Sequence, residues 1–439
     1  MSQSESKKRA FGLWSCVALV VANMIGSGVF TSSGFAFAGL QNRSLVMSAW
    51  LVGGVIALLG AISYGALVQR VTESGGEYLF LSRSVHPMVG FLAGWVSLIA
   101  GFTGAIAFAA HGFAAYAVPG QSESTQTLVA VGVVVAFGLL HLVRKPGVYA
   151  QNVVVTVKLI VIGGFIVFAF TKFGEWPGRN VTSAPNDAFR LQSFATTVMW
   201  FSLAYSGFNA AVYITGEVDD ARRLVPRAMW ISTVIVAVLY VLLNLIFVYG
   251  PEPGALLGSE GFGEKEVAMV ASRAIDPGML TWLLRATVCL SLASSVSSMI
   301  IAGPRVYAKM ADDGVFPEFF RFREENATKA ILLQMLLAVV VVAFSTLAGL
   351  LDYLSLTLSV STALTVASLF VTKGSAERPA IAYRIVAALY VMATLVFATI
   401  HSTTMGAMPR VIAALVTVVS GVVAYQLFRN RSTPTGSQS

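Results

Sequence analysis

The chain has 439 residues, 56% of them hydrophobic and only 11% charged, against about 25% charged in a soluble domain. So few charges cannot cover the surface of a water-soluble protein of this size, which excludes a soluble enzyme. Twelve spans of about 20 residues use about 240 residues, close to the number of hydrophobic positions, so the expected fold is an all-α polytopic membrane protein with twelve transmembrane helices. Cys16 and Cys289 both fall inside apolar runs, which argues against a disulfide framework or a thiolate metal cluster. Neither a GxxxxGK[ST] nor an HExxH pattern occurs, which argues against an ATP-driven pump or a zinc protease. Lys7, Lys8 and Arg9 lead into a long apolar run without a small-residue cleavage site, so no cleavable signal is expected.

In chain order, apolar runs bounded by charges and turn residues fall near 12–39, 45–68, 88–118, 127–143, 148–171, 192–216, 228–249, 280–308, 330–350, 353–372, 385–400 and 409–427. The eighth continues past the hydrocarbon, and the loop at 251–279 contains a stretch from Glu264 to Asp276 that reads as a short surface helix. With the amino terminus inside, 20 Lys and Arg face the cytoplasm, eight face outward and Lys158 alone lies in a span. This bias places both termini in the cytoplasm of a multi-pass cell-membrane protein. The net charge of +8 is therefore a topology signal and not a nucleic-acid site.

Two spans carry breaks. The first reads Ile25-Gly26-Ser27-Gly28-Val29-Phe30 and the sixth Leu203-Ala204-Tyr205-Ser206-Gly207-Phe208-Asn209. Backbone unpaired at membrane depth must be buried in protein or line a cavity, and paired interruptions five spans apart point to a transporter's binding site. Unwinding after Ile25 frees the amides of Ser27, Gly28 and Val29 at the positive end of the next half-helix, and the Ser27 hydroxyl adds a donor. This makes an anion cradle suited to a carboxylate. Free carbonyls near Ile25, Leu203 and Ala204 suit an ammonium, so together the breaks describe the backbone of an α-amino acid. The alternative is that these glycines only permit close helix packing.

The spans carry no acid in their interiors, and Asp352 reads as a helix-end residue at a span edge. Lys158 lies ten residues into the fifth span, about 15 Å deep, where it suits a proton carrier or a fixed positive group standing in for sodium. Arg285 is near enough to a span end to snorkel. His111 and His141 have no ligand-spaced neighbours and read as packing residues. Ser294, Ser295, Ser297 and Ser298 could furnish hydroxyls to a sodium site, though serine in such helices more often bonds its own backbone. Asn42-Arg43-Ser44 and Asn180-Val181-Thr182 match glycosylation acceptors, a pattern that also arises by chance.

Five stretches in order, MIGSGVF at 24–30, ESGGEY at 73–78, KLIVIGG at 158–164, GFNAAVYITGEV at 207–218 and GPRVYAKMADDGVFP at 303–317, resemble the amino acid–polyamine–organocation superfamily. The resemblance covers residues 10–427 and implies the LeuT-type five-plus-five inverted repeat with discontinuous helices 1 and 6. Residues 12–171 would form the first repeat and 192–372 the second, with two extra helices at 385–427 and cytoplasmic tails at 1–11 and 428–439. It implies a substrate site at Ile25, Gly26, Ser27, Gly28, Leu203, Ala204, Ser206, Gly207 and Asn209. Ser27 and Gly28 would hold the carboxylate, while the carbonyls of Ile25, Leu203, Ala204 and Ser206 would take the amine.

The break at Ser206-Gly207 is most similar to bacterial relatives and light subunits of heteromeric amino acid transporters, which also carry asparagine at the place of Asn209. Exchangers of the arginine/agmatine type carry an acid there, so the amide argues against strongly cationic substrates. Lys158 matches the fifth-span lysine of sodium-independent members, where it contacts the first-span break. The chain departs from the pattern at Thr72, where a proline is usual, and at Gly216, which replaces the first of two glutamates and leaves Glu217. The loop at 119–126 has no cysteine, so no disulfide-linked heavy chain is expected.

The resemblance and the paired breaks together imply a sodium-independent permease of neutral L-amino acids, driven by proton symport or exchange, with Phe201, Tyr205 or Phe208 gating the site. No cofactor, metal or catalytic residue is expected, and the partners are an amino acid, a proton and the bilayer. The alternatives are an amino acid/polyamine antiporter, a non-transporting sensor, which the tails of about ten residues argue against, and a membrane-embedded enzyme, for which the spans lack clustered acids or nucleophiles.

Overall fold

The computed structural model describes residues 11–143, 148–179, 190–257, 266–321, 328–371, 379–404 and 408–429. Lys7, Lys8, Arg9, Arg144, Lys145, the Asn180-Val181-Thr182 acceptor, Glu264, Arg323, Lys373, Arg378 and Arg431 lie outside them, as does most of both tails.

The first apolar run is two helices, α1 (Leu13–Met24) and α2 (Gly28–Leu40), followed by α3 (Arg43–Arg70) and a short α4 (Gly76–Ser84). The third run is α5 (Pro87–Val96) and α6 (Ala105–Ala117), joined by a widened π-helical turn at Ser97–Gly104. Then come α7 (Glu123–Val143), α8 (Val148–Thr171), α9 (Leu191–Ala204) with a 3₁₀ segment at Ala210–Glu217, and α10 (Ala221–Tyr249). The rest is α11 (Val267–Ile275), α12 (Met279–Asp312), α13 (Thr328–Phe344), α14 (Leu347–Ala367), α15 (Ile381–Ser402) and α16 (Met408–Arg429). Among the described residues no sheet forms, and an isolated bridge joins Phe11 to Val218.

Each of the expected runs falls on helix, and ten helical stretches are long and apolar enough to cross a membrane. The two that fall short are α13, with 17 residues, and α9, with 14, about 26 and 21 Å at 1.5 Å per residue. The lipid-facing side is legible on α15, where Ile385, Leu389, Met392 and Val396 are exposed in one stripe and Ala387, Tyr390, Thr394 and Ala398 are buried opposite. An outward apolar stripe of that kind suits hydrocarbon and not water. The molecule is a multi-pass membrane protein.

The core forms where α3 packs on α9 and α10, and α10 packs on α1. The Trp50 ring stacks on Phe201 at 3.9 Å between centroids and 14° between planes, and meets Tyr205 and Tyr240 edge-on at 5.6 and 5.4 Å. Each such pair adds about 0.5–1.5 kcal/mol beyond its buried area, so three helices are pinned by one indole.

The structure corrects four expectations. Hydropathy divides the ninth and tenth runs at 350–353, but the chain turns at Ser345-Thr346, because Thr346 caps α14 by accepting from the Gly349 amide at 3.1 Å. Leu347 to Leu351 stay apolar through the cap, so hydropathy does not register it. Asp352 consequently lies inside α14 and not at a span edge, and the spans do contain an interior acid. Its carboxylate accepts from Trp200 Nε1 at 2.7 Å and pairs with Arg410 at 2.9 Å, which neutralises the burial. Arg285 does not snorkel: its guanidinium donates to the carbonyls of Tyr116 and Ala117 at 3.3 and 2.9 Å, capping the end of α6. Finally, α11 is not a surface helix, since Val267, Ala268, Met269, Val270, Ala271, Ser272 and Ile275 are all buried against neighbouring helices.

The face bearing the α2–α3 turn is closed by a buried cation. Arg43 is 2% exposed and donates to the carbonyls of Gly178 at 2.7 Å and Pro251 at 2.5 Å. Replacing Arg43 by Met leaves those carbonyls without these donors, and a loss of about 3 kcal/mol is expected, read as a lowered thermal unfolding midpoint of the purified protein.

Nearby, Lys172 reaches Asp276 at 3.0 Å. The hydrogen bond from Lys172 holds the Asp276 carboxyl below the ordinary 3.8, and the same bond raises Lys172 above 10.5. The depressed acid contributes above pH 3.8 and its contribution is lost as pH falls through the lowered value. The raised lysine contributes below 10.5 and its contribution is lost above the raised value. Hydrogen exchange in the segment 273–278, corrected for its intrinsic pH dependence, is therefore expected to stay flat between those limits and rise only outside them. Asp276→Asn should raise it at neutral pH.

Candidate functional site

The first break follows from how the helical ladder stops and restarts. The Ile25 amide still donates to Val21 O at 3.0 Å, the Gly26 amide turns back to Met24 O at 2.8 Å, and bonding resumes with Phe30 and Thr31, both donating to Ser27 O. The amides of Ser27, Gly28 and Val29 therefore precede the first bond of α2, at the positive end of its dipole. The second break ends α9 at Ala204, with the Ser206 amide closing onto Leu203 O at 2.9 Å. Gly207 then takes φ +94, the left-handed region that favours glycine.

The two breaks touch. A Cβ on Gly28 would lie 2.6 Å from Ala204 Cβ, and one on Gly207 would lie 2.9 Å from the Asn23 carbonyl carbon. Between them the Tyr240 hydroxyl lies 2.6 Å from Met24 O and 3.1 Å from Ala204 O, so one phenol serves both ends. Lys158 is 1% exposed, and its ammonium donates to Ile25 O at 2.7 Å, with Ser291 O at 3.4 Å and Ser294 Oγ at 3.3 Å. Ser295 Oγ donates to the same Ile25 carbonyl at 3.0 Å.

Beside the breaks lies a cavity of about 130 Å³, room for on the order of ten waters. Eight of the nine expected substrate residues line it: Gly26, Ser27, Gly28, Leu203, Ala204, Ser206, Gly207 and Asn209. Ile25 does not, and both lone pairs of its carbonyl are engaged by Lys158 and Ser295. Ser27 is 1% exposed, and its Oγ has no hydrogen-bond partner among the described residues. Of the aromatics, Phe201 and Tyr205 are fully buried around Trp50 and do not line this cavity, whereas Phe208 borders a smaller one of about 40 Å³ on the α15 side. Ser294 and Ser298 bond their own helix, as serines in such helices often do, and His141 packs against Ser297 at 2.9 Å.

Three features around the cavity are not legible in the sequence. Glu77 lines the wall, as do Ser97, Gly101 and Phe102 of the π-helical turn. Glu77 stands in the ESGGEY stretch, so its presence is visible there, but its position beside the sixth-span break is not. Tyr240 sits in an unbroken apolar run, where nothing local distinguishes it.

Gly28→Ala forces the backbone of the opposite break to move and should cost about 1–3 kcal/mol of stability. Gly26→Ala meets nothing closer than Met24 O at 4.0 Å and should leave the thermal midpoint near that of the wild type. Equal losses would show that contact between the breaks does not set the cost.

The amino acid permease family matches residues 11–431. The chain is 26% identical over 330 residues to the large neutral amino acids transporter small subunit 2 of Mus musculus, covering 71% of this chain and 59% of that protein. It is 24% identical over 340 residues to the Asc-type amino acid transporter 1 of Mus musculus, covering 72% and 61%. It is also 24% identical over 321 residues to the serine/threonine exchanger SteT of Bacillus subtilis (strain 168), covering 72% and 71%. The chain thus spans about three-fifths of the length of the mouse relatives. The match over residues 11–431, on a chain whose two broken helices border a common cavity, establishes that it belongs to the amino acid permease family, a family of transporters and not of enzymes.

Proposed function

We propose that the protein is a sodium-independent secondary transporter of neutral L-amino acids in the cell membrane, working by proton symport or exchange. The observation that carries this is the pair of helix breaks on one cavity wall, where Ser27 and Gly28 open α2 with amides that precede its first bond and the buried Ser27 hydroxyl has no partner among the described residues. Those donors suit a substrate carboxylate. The Ala204 carbonyl, whose one described donor is Tyr240, suits the ammonium, whereas Leu203 O beside it already accepts from Ser206 and the capping Tyr205 amide. The names of the relatives, a large neutral amino acids transporter subunit, an Asc-type amino acid transporter and a serine/threonine exchanger, support an amino acid substrate, and the first supports a neutral one.

In this reading the chain crosses twelve times with both termini cytoplasmic, α9 and its 3₁₀ extension together forming the sixth span. Residues 12–171 and 192–372 form inverted repeats of LeuT type, and 385–427 add two helices. Spans one, two, six and seven rock as a bundle around the paired breaks. Of the three expected aromatics, Phe208 is assigned the closing role, since it borders the smaller cavity that shares Leu203, Ser206, Leu358 and Thr362 with the larger one. Lys158 supplies a fixed or titrating positive charge where a sodium-coupled transporter would hold its ion, and its bond to Ile25 O ties that charge to the first break.

The serine/threonine exchanger among the relatives favours exchange as the mode, which predicts uptake only into preloaded vesicles. Lys158→Ala should cut uptake into proteoliposomes at least tenfold or abolish its pH dependence while the protein still purifies folded. Unchanged uptake at every pH removes Lys158 from coupling. A thermal-shift screen against the common amino acids and diamines should show stabilisation by small neutral amino acids, and stabilisation by diamines alone would favour polyamine antiport.

A further inference from the structure

Glu77 is the one acid on the cavity wall among the described residues, and it is 4% exposed. Its partners are neutral. Tyr64 of α3 donates to Oε1 at 3.0 Å, Asn209 Nδ2 donates to the same oxygen at 2.5 Å, and Tyr213 donates to Oε2 at 2.7 Å. Tyr390 of α15 is the further titratable group that senses this cluster. The cations at this end are engaged elsewhere, Arg83 and Lys309 by Glu73, Lys309 also by Asp313, and Arg305 by Glu217.

A carboxylate oxygen accepts and cannot donate, whereas a primary amide has a donor end and an acceptor end. Glu77 therefore holds the NH₂ end of Asn209, and the amide oxygen is turned the other way. No described residue donates to Asn209 Oδ1, and Asn209 lines the cavity. Two further wall residues, Ser206 and Thr362, are small and polar on an otherwise largely apolar wall, and the cavity of about 130 Å³ suits a short side chain.

We propose that Glu77 is a specificity-determining positioning residue. It locks the Asn209 amide so that the cavity meets an acceptor at position 209, which selects short neutral amino acids carrying a side-chain hydrogen-bond donor. An acidic side chain would meet Oδ1 and the Glu77 carboxylate together and is rejected. This deepens the permease reading above and rests on it.

The test uses the purified full chain and three probes, L-serine, L-alanine and L-aspartate, with binding followed by titration calorimetry and folding by thermal unfolding. Serine and alanine differ by one hydroxyl, so their affinity ratio reports the wall and not overall stability. Wild type is expected to prefer serine by on the order of fivefold and to bind no aspartate. Glu77→Gln frees the Asn209 amide to turn over, and the ratio should fall to about one. Adding Asn209→Asp to Glu77→Gln lets the new glutamine donate to an acceptor at 209, and the serine preference should return.

Asn209→Ala should lose the preference as well, and it carries the test if Glu77→Gln does not fold. Retention of the wild-type ratio in a folded Glu77→Gln or in Asn209→Ala overturns the proposal, as does a wild type that binds both amino acids without preference. A wild type that binds no amino acid overturns the permease reading itself.

Discussion

A peptide group freed from its helix inside hydrocarbon must find another partner, and the site of this protein is built by how that requirement is met. On the acceptor side the protein supplies almost everything. Ile25 O takes Lys158 and Ser295, Met24 O takes Gly26 N and Tyr240, Leu203 O takes Ser206 N, and Ala204 O takes Tyr240. The donor side is left open: the amides that begin α2 precede its first bond, and the Ser27 hydroxyl beside them has no described partner. In the proposed reading the open donor end receives the substrate carboxylate, so the asymmetry of bonding and not the mere presence of a gap orients the ligand.

The same partners determine what is rigid. Tyr240, Lys158 and Trp50 lie deep in the core and tie α10, α8 and α3 to the two breaks through short bonds and stacked rings. At the end holding Glu217 the ties are different in kind. Arg305–Glu217, Lys309–Glu73 and Arg83–Glu73 are partly exposed ion pairs, and such pairs contribute about 0–1 kcal/mol each. The isolated bridge from Phe11 to Val218 adds little more. At the opposite face Arg43 is buried and bonded to two carbonyls.

The sequence carries a large share of the outcome because membrane burial leaves coarse marks on it. Apolar length locates the long helical runs among the described residues, apart from the boundary between α13 and α14, and the two Gly-Ser or Ser-Gly interruptions locate both breaks. Even Lys158 is legible, because a lone charge ten residues into an apolar run needs a partner that the run does not contain. The misplacements have two causes. The Thr346 cap is local, three residues from Gly349, but the apolar residues that run through it hide it from hydropathy, whereas the pairing of Asp352 and the role of Arg285 depend on neighbours distant in sequence, namely Arg410, Trp200 and the end of α6.

Residue order alone therefore determined the solvent this protein folds in, where its helices run and where two of them stop, because those follow from transfer energies and backbone freedom along a single stretch of chain. Which freed groups stay free was decided by tertiary structure. Glu77 reaches Asn209 across 132 positions and Tyr240 reaches Met24 across 216. A hydrogen bond is specified by the distance and angle of two groups brought together in space, and no local pattern encodes that.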